Sequence, residues 1–186
     1  MRRMCLTLVL LASAAGFASA ADIDNPEFAA WAKFNKGASV TKKTIDTVAD
    51  SIIENTTTLT LVEVGADKLV LEDVTVGKTK GGETKLPPMK RTIPKTLKLP
   101  AGAKADDFKG GKPKGTYEEG TETVKAGGAE IKTTWYKAKT ESNGVKTETK
   151  TWVSDDVPGG VVKLERTIVG ALTTTRKTDL VEFKKP

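Results

Sequence analysis

The chain has 186 residues, of which 30 are Lys or Arg and 24 Asp or Glu, giving a formal charge of +6, with no His and a single Cys, Cys5. Imidazole acid/base schemes are thereby excluded, and one thiol can form neither an internal disulfide nor a Cys/His zinc site. The basic residues are spread along the chain, without long blocks and without interleaved stacking aromatics, so nucleic acid is not an expected partner.

Residues 1–20 join a basic start (Arg2, Arg3), an apolar run from Leu6 to Phe17 and a small-residue end, Ala18-Ser19-Ala20. This is the layout of a secretory signal peptide, and the apolar run is too short to span a bilayer. Cleavage is expected after Ala20, removing Cys5 and lowering the charge to +4, and the product is expected to be exported, periplasmic or extracellular. The remaining 21–186 suits a single domain able to bury about 70% of its unfolded surface without disulfides.

The first element is a helix over 26–36. Asn25 can cap it, Pro26 suits the first helical position, Glu27 favours the positive end of the dipole and Gly37 offers a stop. Phe28, Trp31 and Ala32 share one face, which must pack on something. From Ala38 onward the chain is rich in Thr and Val and punctuated by turn signals, which predicts strands over 38–48, 52–64, 68–77, 84–93, 117–125, 129–141, 145–154, 161–169 and 172–183. Asn143-Gly144 between two alternating runs is a strong type I′ hairpin signal. Such short connections join antiparallel neighbours, so the expected fold is mostly β: a curved antiparallel meander or half-barrel of about nine strands with one N-terminal helix. Residues 100–115 lack strand periodicity and read as a long surface loop with Phe108 as an occasional anchor.

Period-two alternation puts Val145, Thr147, Thr149, Thr151 and Val153 on one face and Lys146, Glu148, Lys150 and Trp152 on the other. Ile131, Thr133 and Trp135 alternate in the same way with Lys132, Thr134 and Tyr136. Neither face is a dense aliphatic surface, which suits one packed side and one half-wet side.

Candidate chemistry is sparse. Val157-Pro158-Gly159-Gly160 demands a tight turn, with Asp155 and Asp156 at its mouth. A structural turn explains the stretch better than a hard-cation site, for which calcium loops supply more oxygen ligands at regular spacing. Glu118, Glu119, Glu122, Glu130, Glu141, Glu148, Glu165 and Glu182 could in principle supply a glycosidase-like carboxylate pair. They alternate with Lys or Thr, however, as cross-strand surface pairs do. No catalytic residue and no metal ligand is assigned. No cofactor is expected either, since Gly110-Gly111-Lys112-Pro113 lacks the Ser/Thr and the helix of a phosphate loop.

Two stretches carry a resemblance. Asn25-Pro26-Glu27-Phe28-Ala29-Ala30-Trp31 and the region from Gly120-Thr121-Glu122-Thr123 through Trp135-Tyr136 and Trp152-Val153-Ser154 to Val157-Pro158-Gly159-Gly160-Val161-Val162-Lys163 look like a group of small uncharacterised exported bacterial proteins. The second stretch also resembles, more distantly, the C-terminal strands of the lipoprotein-carrier-like superfamily. That likeness implies a curved antiparallel sheet half-wrapping helices, with an apolar cavity between them that holds acyl chains. The chain departs from the carriers in having one convincing helix and few large aliphatic residues.

The expected function is that of a non-enzymatic envelope protein binding a lipid or other apolar ligand in the concavity of its sheet, with Phe28, Trp31, Trp135 and Trp152 as candidate lining. The alternative is a structural or interaction protein of the cell envelope with no ligand pocket, in peripheral contact with a membrane or envelope polymer. A carboxylate-dependent hydrolase ranks third. Oligomeric state is not legible.

Overall fold

The computed structural model describes residues 22–99 and 112–186. The expected signal peptide, Cys5 and most of the predicted loop, including Phe108, lie outside the described residues.

In chain order the elements are β1 (Asp22–Asp24), α1 (Pro26–Ala32), β2 (Ser39–Val48), β3 (Ser51–Val64), β4 (Lys68–Thr79), β5 (Gly82–Lys85), β6 (Met89–Pro94), β7 (Thr96–Lys98), β8 (Thr116–Ala126), β9 (Ala129–Ser142), β10 (Val145–Val153), β11 (Val161–Val169) and β12 (Thr173–Lys184). Ten of these strands form one antiparallel sheet in the order β5-β4-β3-β2-β12-β11-β10-β9-β8, with β6 also on β4, and the sheet is not closed into a barrel. Every long neighbour pair is a sequential hairpin except one. β12 returns to pair with β2 from Val48↔Thr174 to Ser39↔Lys184, joining two meanders into one surface.

The predicted β strands are observed within a residue or two, with one correction. The segment 84–93 is not a single strand but two, β5 and β6, both on β4 and interrupted at Pro87-Pro88. Two successive prolines have no N–H to give to a ladder. Leu86 still donates its N–H to the Thr75 carbonyl at 2.9 Å, and pairing resumes at Met89 opposite Asp73. The two-stranded ribbon of β1 and β7, with Ile23 opposite Leu97, was not predicted, because three-residue strands show no periodicity.

The helix is shorter than the predicted 26–36, ending at Ala32 with Lys33 as its C-cap. Asn25 caps it as expected: its Oδ1 accepts the Glu27 N–H at 3.0 Å. The same side chain donates through Nδ2 to the Pro94 carbonyl at 2.8 Å, and the Asn25 N–H donates to the Lys95 carbonyl at 2.8 Å. The helix start is thereby tied to the junction of β6 and β7.

Hairpin geometry follows the local sequence. Asn143 and Gly144 have φ of 49° and 76°, the pair of positive values that a type I′ turn requires. Threonines pair across strands by hydroxyl contacts: Thr44 with Thr178 at 3.0 Å, Thr57 with Thr75 at 2.9 Å and Thr41 with Thr58 at 2.9 Å. Each such cross-strand pair contributes a few tenths to about 1 kcal/mol, so much of the sheet's cohesion is spread over many small terms. The core proper gathers Trp31, Val40, Leu61, Leu69, Leu71, Ile93, Trp152, Val157, Val162 and Leu180, with Phe28, Phe34 and Phe183 packed against it.

Candidate functional site

The Trp31 side chain, 1% exposed, packs on the β10–β11 connection, where the Gly159 N–H donates to the Ala30 carbonyl at 3.3 Å. That connection is internally bonded, Ser154 N–H to Gly160 O at 2.8 Å and Gly160 N–H to Val157 O at 2.8 Å. Its two carboxylates point outward into ion pairs, Asp155 with Lys33 at 2.5 Å and Asp156 with Lys185 at 3.6 Å. The stretch thus acts as a docking platform for the helix, with Asp155 and Asp156 paired to cations from two other segments.

Between α1 and β1 on one side and the sheet on the other lies an open cleft of about 1680 Å³. Its walls join apolar contributions from Ile23, Trp31, Leu59, Val153 and Val161 to the hydroxyls of Thr121, Thr123, Thr134 and Tyr136, and carboxylates (Asp22, Asp24, Glu27, Glu122, Asp155, Asp156), Lys132 and Lys42 also line it. Period-two alternation in β2 places Lys42 on the same face as buried Val40, whereas Lys43 faces the other way and pairs with Glu54 at 2.9 Å. Burial lowers the Lys42 ammonium from 10.5 to about 8, with the charge of Glu27 acting in the opposite direction. Glu27 itself is held by Arg91 at 2.6 Å, so Lys42 has no ion pair among the described residues. Sequence reasoning passed over Lys42, although its alternation with Val40 was a legible signal.

The four aromatic residues expected to line one concavity occupy different places. Trp31 lies in the cleft wall, and Phe28 packs against the core beside it. Trp135 and Trp152 are brought together, as direct partners across β9 and β10, but away from the cleft. Register places them in a row that runs Gly120, Trp135, Trp152, Lys163 across four strands. The Lys150 ammonium lies 4.6 Å from the Trp135 ring centre and 4.3 Å from that of Trp152, and Lys163 lies 4.7 Å from Trp152. The Trp152 indole N–H donates to the Glu122 carboxylate, and Trp152 is only 4% exposed.

In the neighbouring row, Glu118, Lys137, Lys150, Glu165, two adjacent lysines are flanked by glutamates, with Lys137 to Glu118 at 2.7 Å. The carboxylate next to it raises the Lys137 pKa. Exposed pairs of this kind each contribute little on their own.

No family model and no curated protein matches the chain. Among solved structures it is similar to a protein described as a putative lipoprotein from Parabacteroides distasonis, at 14% identity and a TM-score of 0.41, over 81% of this chain and 96% of that one.

Proposed function

We propose that the protein is an exported, non-enzymatic component of the cell envelope that holds a lipid or another largely apolar ligand in the cleft between α1 and the sheet. One observation carries this reading: the indole of Trp31 seals the helix onto the Gly159 turn, yet the space beside it is left as an open cleft of about 1680 Å³ whose wall joins an apolar patch, Ile23, Leu59, Val153 and Val161, to hydroxyl and charged side chains. Concave sites that bring an apolar patch together with convergent polar groups are the usual setting for small-molecule binding, and a mixed lining suits an amphiphile. The hydroxyls of Thr134 and Tyr136 and the Lys42 ammonium would face the polar part of an amphiphile.

Native mass spectrometry of the protein purified from its own host tests the proposal. Co-purifying mass of acyl-chain character, released on denaturation, is the expected result. A bare protein that also fails to enhance the emission of an apolar dye would remove it. A second reading, a structural or interaction protein of the envelope, draws on the face of Trp135 with its flanking Lys137 and Lys150 and the glutamates that pair with them. Trp31→Ala separates the two. It should cost about 3 to 5 kcal/mol of stability under either, but only under the first should it also change ligand retention at temperatures where the variant remains folded.

A further inference from the structure

The structure assigns a second, smaller site, independent of the cleft. We infer that Arg166 and Arg176, with the pocket between β2, β11 and β12 that they line, form a binding site for a tetrahedral oxyanion such as phosphate, sulfate or a phosphate monoester.

Arg166 and Arg176 are direct cross-strand partners of β11 and β12, so their side chains leave the same face of the sheet. Two like charges at such positions repel one another. A single carboxylate compensates: Asp46, the partner of Arg176 on β2, accepts from its Nε at 2.6 Å and from its Nη2 at 3.1 Å. The hydrogen bond from this carboxylate raises the Arg176 pKa, as a committed pair should. Arg166 has Thr149 as its partner on the other side, and no carboxylate answers it there. The trio therefore carries one net positive charge.

Among the described residues Arg166 Nε is the one buried side-chain nitrogen or oxygen without a hydrogen-bond partner. No group among the described residues therefore competes for the charge of Arg166. The pocket beside it has a volume of about 110 Å³ and is lined by Asp46, Arg166, Ile168, Thr174 and Arg176. An oxyanion in the pocket would take donors of the guanidinium groups and would quench the repulsion between the two arginines. The planar fork of arginine suits such an ion.

The experiment uses the arginine Nε–H region of an NMR spectrum, which is simple because the chain beyond residue 21 contains three arginines, Arg91, Arg166 and Arg176. Inorganic phosphate, added at constant ionic strength, should shift the Arg166 resonance saturably and leave that of Arg91 in place. Glycerol phosphate serves as the monoester arm, and saturable binding of either compound supports the site while identifying which source it accepts. Arg166→Gln should weaken binding at least tenfold. Arg166→Lys, which keeps the charge and loses the Nε–H, should weaken it too and guards against a folding defect in the first variant. A response that is linear in phosphate, or one that sodium chloride reproduces, overturns the inference, as does undiminished binding by both variants.

Discussion

The indole of Trp31 lies so close over Gly159 that a Cβ at residue 159 would meet its Nε1 at 2.9 Å and its Cε2 at 3.0 Å. The backbone there has φ of 73°, so both the space and the conformation demand glycine. Gly159→Ala should therefore destabilise the protein by about 2 kcal/mol or more, the left-handed conformation alone accounting for about 1 to 2. Urea unfolding measures it. A loss below a few tenths of a kcal/mol would mean that the turn and the helix are not locked together.

Asn25 does two jobs, and they can be separated. As a helix cap it is worth about 1 kcal/mol, and aspartate caps equally well. Asn25→Asp nevertheless removes the donor that the Pro94 carbonyl receives at 2.8 Å and sets a carboxylate against that oxygen in a site only 5% exposed. We expect Asn25→Asp to be at least as damaging as Asn25→Ala in thermal denaturation. An aspartate variant of wild-type stability would show that the tie to β6 contributes nothing.

Gly120 is the cross-strand partner of Trp135, and a Cβ there would lie 2.7 Å from the indole Cζ2. Gly120→Ala must push the ring off the strand, at a cost of about 1 to 3 kcal/mol for overpacking. Because Trp135 shares Lys150 with Trp152, the tryptophan emission spectrum should move as well. Unchanged emission together with unchanged stability would contradict the tight ring-on-glycine contact.

Lys42 predicts a pH dependence whose sign is fixed by its lowered pKa. Between about 8 and 10.5 the unfolded chain holds this proton and the folded chain does not. Stability rises with pH wherever the unfolded state binds more protons, so the burial penalty of Lys42 is fully present below pH 8 and is relieved as pH climbs through that window. Other lysines and Tyr117 also titrate at alkaline pH, so the informative quantity is the difference from Lys42→Met. That variant should be the more stable at pH 7, and its advantage should shrink toward pH 10. A constant difference across the range would place the ammonium in water.

Alternation, turn residues and capping are properties of neighbouring residues, and they carried most of this fold. Asn25-Pro26 opened the helix, Asn143-Gly144 turned a hairpin, and the Thr/Val segments became strands. The split at Pro87-Pro88 was equally local, since both prolines stood in view and their missing N–H groups cannot sustain a ladder. The tertiary structure alone decided which meander edges meet. The pairing of β12 with β2, the tie from Asn25 to Pro94 and the seat of Trp31 on Gly159 all join residues far apart in the chain, where no periodicity operates. The absence of histidine and the single cysteine were readable at once, whereas the positions of Lys42 beside a cleft and of Arg166 beside a small pocket depended on register across strands that the linear order does not specify.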